Sequence, residues 1–196
     1  MARIRPFRVG DEPALADICL RTADAGGDAT GLLGHDAIWA EVFVLPYVAR
    51  HPQLAFVVED DGRVVGYVVA TPDTDAFEEW FRTQWWPEHG RVFAREGAAG
   101  REREILAYAD GRGTSPSPYR AAHPAHLHID LLPETQGRGW GRMLIQHLLD
   151  ALRADGVPGL HLVASADNEG AVAFYERLGF RPLPSDPGDR AFGIDL

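Results

Sequence analysis

Residues 131–142, reading LLPETQGRGWGR, constrain this chain more than any other stretch. Upstream, residues 126–132 read as a strand. Downstream, Met143, Leu144, His147, Leu148 and Leu152 recur on one helical face. A glycine-rich turn must therefore carry the chain from a strand end into a helix start. Gly137, Gly139 and Gly141 remove side chains where a ligand would approach the backbone closely. The first turn of the helix adds unpaired N–H groups and the positive end of its dipole. Such a turn is an anion site, suited to a phosphate or pyrophosphate.

Spacing excludes two familiar phosphate-binding loops. A P-loop needs a lysine, and all 19 basic residues here are arginine. A dinucleotide fingerprint needs G-x-G-x-x-G with an acidic residue closing a second strand, whereas this turn is G-x-G-x-G and Asp155 falls at the helix end. The order Gln136-Gly137-Arg138-Gly139-Trp140-Gly141 instead resembles the acetyl-CoA-binding segment of the GNAT superfamily of N-acetyltransferases. A second stretch, Asn168-Glu-Gly-Ala171-Val-Ala-Phe174-Tyr175-Glu-Arg-Leu178-Gly179-Phe180, resembles the same family's C-terminal N-x-x-A-x-x-x-Y-x-x-x-G-F segment. It follows an intervening strand at 160–164, in the family's order. Read without the resemblance, Ala171, Phe174, Tyr175 and Leu178 are also a core-facing helix stripe.

The resemblance implies acetyl-CoA as co-substrate, held by Leu131, Leu132, Gln136, Gly137, Arg138, Gly139, Trp140, Gly141, Arg142, Asn168, Ala171 and Phe174. It implies that the Tyr175 hydroxyl faces the CoA sulfur, that Asn168 contacts the pantetheine arm, and that a backbone N–H within 129–132 polarises the thioester carbonyl where the strand bulges and splays from its neighbour. A base must still take the ammonium proton. His126, His128 and Asp130 alternate and so share one strand face. Several enzymes of the family carry the base on the opposite alternation, occupied here by the apolar Ala125 and Leu127. A bulge would shift that parity, leaving Asp130 or His128 as base. The plainer alternative makes Asp130 a structural hydrogen-bond partner and His126 exposed. No metal is expected, since no second ligand cluster accompanies His126-x-His128-x-Asp130. Asp24 and Asp28 lie in the segment that lines the acceptor side in similar enzymes. They suit a cationic amine, and equally suit helix capping and turn formation.

A formal charge of -10 argues against a nucleic-acid partner. No apolar run approaches a membrane span, the N-terminus lacks a signal-peptide core, and the one cysteine, Cys19, cannot form an internal disulfide. A cytoplasmic location is expected. Strands are expected at 3–8, 54–59, 64–70, 126–132, 160–164, 180–183 and 190–195. Helices are expected after Asp11, at 38–47, from 140 and from 169. Together these give an α/β (α+β) GNAT fold: a central, mostly antiparallel mixed sheet, splayed at the cofactor site, with helices on both faces. Residues 1–196 read as a single domain with a helical insertion at about 71–125. In that insertion Phe77, Trp80, Phe81 and Trp85 share helical spacing and 111–119 reads as an irregular loop. Its Trp80, Trp85 and Trp86 allow packing, a homodimer surface or a lid.

Further stretches resemble one branch of the superfamily, the acetyltransferase-like domain found alone in bacteria and fused to O-GlcNAc hydrolases in animals. They are Ile18-Cys-Leu-Arg-Thr22, Gly27-Asp-Ala-Thr30, Gly66-Tyr-Val68, Thr71-Pro-Asp-Thr74, Trp85-Trp86-Pro87 and His126-Leu-His-Ile-Asp-Leu-Leu-Pro133. The animal relatives are regarded as pseudo-acetyltransferases with degraded cofactor motifs, whereas Gln136, the three glycines, Asn168 and Tyr175 are all kept here. Two functions follow: an N-acetyltransferase acting on a small-molecule or peptide amine, or a non-catalytic acetyl-CoA-binding module in sensing or protein interaction.

Overall fold

The computed structural model describes residues 2–196. Seven strands form one sheet: β1 (Arg3–Pro6), β2 (Ala55–Asp60), β3 (Arg63–Thr71), β4 (Ala125–Leu131), β5 (Gly159–Ser165), β6 (Arg181–Leu183) and β7 (Asp189–Asp195). Their order is β1-β2-β3-β4-β5-β7-β6, and every neighbouring pair is antiparallel except β4 with β5. β2 and β3 form a hairpin in which Asp61 and Gly62 both have positive φ, at 47° and 80°. The Asp-Gly pair thus makes the two-residue turn whose twist suits a hairpin.

β3 and β4 pair without interruption from Thr71–His126 to Gly66–Leu131. The expected bulge near the end of β4 is therefore absent from this pairing; the sheet's register shift lies at Val58/Glu59 in β2. The splay is present. β4 and β5 pair only at Ala125–Leu160 and His126–His161, after which β5 follows β7 for its whole length. The sheet therefore divides into two leaves hinged at two residue pairs.

Helices cover both faces. On one lie α1 (Glu12–Leu20), α2 (Ala37–Phe43), α3 (Leu45–Arg50) and α4 (Thr74–Trp80), as shown by contacts of Tyr47 and Phe77 with His126. On the other lie α7 (Trp140–Ala154) and α8 (Glu169–Arg177), where Gly141 meets Leu131 and Phe174. The single helix expected over 38–47 is two helices. Pro46 cannot donate a backbone hydrogen bond, and the chain breaks at Val44, with φ -137° and ψ -49°. Val42 O, left without its fourth-residue donor, accepts instead from Arg112 Nη1 at 2.8 Å. The neighbouring Glu41 O accepts from Trp85 Nε1 at 3.0 Å.

Both of these donors come from residues 71–125. There α4 runs into a π-helical turn (Phe81–Trp85) and α5 (Trp86–His89), and then α6 (Gly100–Gly111) follows. α6 has no counterpart in the sequence reading, because only Ile105, Leu106 and Ala109 of its twelve residues are buried. The tryptophans pack. Trp86 is buried against Phe81 and donates to Asp110 at 2.6 Å, while Trp80 and Trp85 are partly buried against the core.

Arg112 binds this segment to the rest. Its side chain is 2 % exposed and makes a two-pronged pair with Glu78, at 2.6 and 2.8 Å. A buried guanidinium left without its carboxylate costs about 3 kcal/mol or more. Glu78→Ala is therefore expected to lower urea-unfolding stability by about 3 kcal/mol, while the exposed neighbour change Glu79→Ala stays within about 0.5 kcal/mol.

Candidate active site

At the fork between the leaves, β4 has one edge on β3 and the other open. Leu132 N–H donates to Val65 O at 3.0 Å, on the β3 side. Backbone alternation then turns the N–H groups of Leu131 and Ile129 toward the fork. Leu131 O, on that same open side, accepts from Gln136 Nε2 at 2.9 Å, which folds the following turn back over the strand end.

The turn enters α7 through Gly139, whose φ of 84° places it in the left-handed region; Gly137, with φ 73°, shares it. No side chain caps α7. Its first N–H groups, on Trp140, Gly141 and Arg142, have no protein acceptor among the described residues. Packing favours glycine at 141 as well: a Cβ there would crowd the Phe174 ring at 3.1 Å and Leu131 at 3.3 Å. These residues line a cavity of about 530 Å³ with Ile129, Asp130, Leu131, Gln136, Gly137, Gly139, Asn168, Gly170, Ala171, Phe174, Tyr175 and Arg177. Thr22, Ala25 and Gly26 close its far side. In a chain of net charge -10, this cavity has two arginines and one carboxylate, Asp130. Orphan helix donors, two guanidinium groups and glycines where side chains would intrude fit a pyrophosphate-bearing co-substrate such as acetyl-CoA.

Most of the site residues read from sequence therefore meet in one cavity. Four stand apart. Leu132 is fully buried, and its N–H is taken by Val65. Arg138 does not line the cavity. Asp24 pairs with Arg101 at 2.5 Å, and Asp28 accepts from the Thr30 hydroxyl and N–H at 2.5 and 2.8 Å, so both hold loop and helix in place. Their neighbours Ala25 and Gly26 reach the cavity instead. Arg177 is an addition: it lies three residues beyond Phe174, on the face that also carries Gly170 and Ala171.

Asn168 serves two surfaces. Its Oδ1 accepts from Ala171 N–H at 3.0 Å, capping α8, while its Nδ2 lies beside Gly26, 3.8 Å from where a Cβ would stand. Tyr175 is wedged among Phe174, Phe180 and Phe192, with ring centres 5.3 to 5.8 Å away. Burial, and then the charge of Asp130, push its hydroxyl pKa up, so the proton stays on.

His126, His128 and Asp130 do share a face, toward α1–α4, and parity is unshifted. Ala125 and Leu127 point into the core. Asp130 accepts from Tyr67 Oη at 2.5 Å. Burial raises its carboxyl pKa, with the Tyr67 and Thr22 hydroxyls pulling the other way. His126 is buried rather than exposed, with both ring nitrogens hydrogen-bonded, to Tyr47 and Thr74. Cys19 is buried, and burial pushes its thiol pKa up, away from a nucleophile's range. No helix among the described residues is long and apolar enough to cross a membrane.

The chain matches the Acetyltransferase (GNAT) family over residues 29–180. It is 52% identical over 54 residues to [Ribosomal protein bS18]-alanine N-acetyltransferase of Salmonella typhimurium, covering 28% of this chain and 36% of that protein. It is 22% identical over 180 residues to Protein O-GlcNAcase of Rattus norvegicus, covering 90% of this chain and 20% of that protein. The chain thus spans about a third or less of these curated relatives. The crystal structure of SsHAT superposes with a TM-score of 0.92 at 39% identity, covering 99% of this chain and 98% of that one.

The raised Asp130 carboxyl makes stability depend on pH. A folded-state pKa above the unfolded one means that the native state binds the proton more tightly. Its contribution to stability is full below the ordinary carboxylate range and is lost as pH rises through the raised value. Asp130→Asn is therefore expected to gain in melting temperature over the unaltered protein as pH goes from acid to neutral. Thermal unfolding across that range checks it; a constant or shrinking difference would contradict it.

Proposed function

Since the chain belongs to the acetyltransferase (GNAT) family, whose members bind acetyl-CoA and acetylate amines, we propose that it transfers acetyl directly from acetyl-CoA to a primary amine on a small molecule or peptide. The observation that carries this reading is one cavity in which unpaired helix N–H groups, a carboxylate and a protonated tyrosine meet at the fork of the sheet.

Acetyl-CoA supplies an acyl group activated as a thioester. The N–H groups of Trp140, Gly141 and Arg142, with the Arg142 and Arg177 side chains, hold its pyrophosphate. Asn168 Nδ2 orients the pantetheine arm. The Leu131 N–H, on the open edge of β4, is the donor for the negative charge that develops on the carbonyl oxygen. Asp130 takes the proton of the incoming ammonium, and its raised pKa suits that task. The nitrogen–carbon bond then forms as the carbon–sulfur bond breaks, with the electron pair leaving on sulfur. Tyr175 gives its proton to that sulfur and regains one from the acylated nitrogen. The net reaction converts an ammonium and a thioester into an amide, a thiol and one proton released to solvent.

Amine-dependent release of CoA thiol from acetyl-CoA tests the reading across alkylamines, polyamines and peptide α-amines. At least one class is expected to give release above the amine-free rate. Tyr175→Phe is expected to slow that release by roughly a hundredfold or more while acetyl-CoA affinity stays nearly unchanged. Silence across the panel would replace the proposal with a non-catalytic binding module. Equal loss of affinity and rate in Tyr175→Phe would make Tyr175 a packing residue.

A further inference from the structure

A chain of hydrogen bonds buried behind Asp130 has a direction that chemistry determines. Thr74 Oγ1 lies 2.6 Å from Pro124 O, and a carbonyl only accepts, so the Thr74 proton sits between them. Thr74 Oγ1 therefore accepts at its 2.8 Å contact with His126, and His126 Nδ1 carries the hydrogen. Burial, with His128, His161 and Arg112 adding to it, holds the His126 pKa well below its usual range. A neutral ring with hydrogen on Nδ1 has a lone pair on Nε2. The contact from that Nε2 to Tyr47 Oη is 2.6 Å, so the Tyr47 hydroxyl donates to it. With its one proton committed, Tyr47 Oη accepts from its other two neighbours, Arg112 Nη2 at 3.2 Å and His128 Nε2 at 3.1 Å.

His128 must then carry its hydrogen on Nε2. Burial and the Arg112 charge hold its pKa down to about 3, so the ring is neutral and Nδ1 is a bare lone pair. The ring's hydrogen bond among the described residues is the one through Nε2, and the side chain is only partly buried. The groups facing the ring are Phe43 at 5.7 Å, Tyr47 at 5.1 Å and His126 at 6.2 Å, with the Arg112–Glu78 pair behind Tyr47. His128 is two residues before Asp130 on the same strand face, about 7 Å along β4, beyond the last residues paired with β5.

We infer that His128 is the hydrogen-bond acceptor for an N–H of the incoming amine, in a tautomer imposed through Tyr47, His126 and Thr74. This rests on the acetyl-transfer reading for the identity of the ligand, though not for the tautomers. Asp130 takes one proton from the amine's nitrogen. His128 Nδ1 accepts a hydrogen bond from an N–H that remains and aims the nitrogen's lone pair away from itself. Tyr47, His126 and Thr74 are positioning residues that act only through His128. An acceptor without a hydrogen to spare, such as an alcohol directing its one proton to Asp130, leaves His128 unpaired and is disfavoured.

Two-bond ¹⁵N–¹H correlation on the whole ¹⁵N-labelled protein near neutral pH reads the tautomers directly, with signals assigned by His126→Gln and His128→Gln. His128 is expected as the Nε2–H form and His126 as the Nδ1–H form. The opposite form, or an averaged signal, at His128 would overturn the inference. With CoA present, n-butylamine hydrochloride is expected to shift the His128 Nδ1 resonance and leave that of His126 in place. No shift at His128 at saturating amine would equally overturn it. Thiol release with the wrong His128 tautomer would defeat this inference alone, and the right tautomer and shift without thiol release would defeat acetyl transfer alone.

Discussion

Two residue pairs, Ala125–Leu160 and His126–His161, are all that join the two leaves of the sheet. β4 is bound to β3 from His126 to Leu131, and β5 to β7 along its whole length. Past the hinge each leaf has its hydrogen bonds satisfied by its own neighbour, and the fork between them stays open. That opening leaves the Leu131 and Ile129 N–H groups without strand partners. It also lets α7 begin at the strand's end with its first donors facing a cavity. On one side of the fork lie the glycine turn and α8; on the other lie His128 and Asp130.

The packing behind His128 depends on a second, more distant element. Arg112 comes from the end of α6, yet it fills the carbonyl of Val42 that Pro46 leaves open, pairs with Glu78 of α4, and donates to Tyr47. One buried cation therefore joins the break between α2 and α3 to the segment over 71–125. Its charge also helps to keep the His128 imidazole neutral. The tryptophans of that segment act in the same sense, with Trp85 donating to Glu41 O at the adjacent open carbonyl. Residues 71–125 thus brace the elements packed behind His128 without lining the cavity themselves.

Features carried by neighbouring residues were legible in the sequence. The Asp61-Gly62 hairpin, the period of α7 and the glycine turn are all local chemistry, and the elements lie within a few residues of their expected places. The cofactor side of the cavity was legible for the same reason, since two short contiguous segments build it. Part of what was missed depends on long-range partners. The burial of His126 follows from Tyr47, 79 residues away, and that of Arg112 from Val42, 70 residues away. Asp24 gave no sign that Arg101 would claim it. α6 was hidden because its charged face dominates its few buried positions. Pro46 did signal a break within 38–47, and Arg177 did continue the Gly170–Phe174 face; both were readable from spacing alone.

The fork and the glycine turn together form the proposed acyl-CoA site. Calorimetric titration of the protein with acetyl-CoA, with CoA and a longer acyl-CoA alongside, tests it most directly. Micromolar binding of acetyl-CoA, about -8 kcal/mol, tighter than that of CoA, is the predicted result, because the fork then holds the thioester as well as the pyrophosphate. A folded protein that binds neither acetyl-CoA nor CoA would contradict the claim and leave the open leaves of the sheet without a ligand.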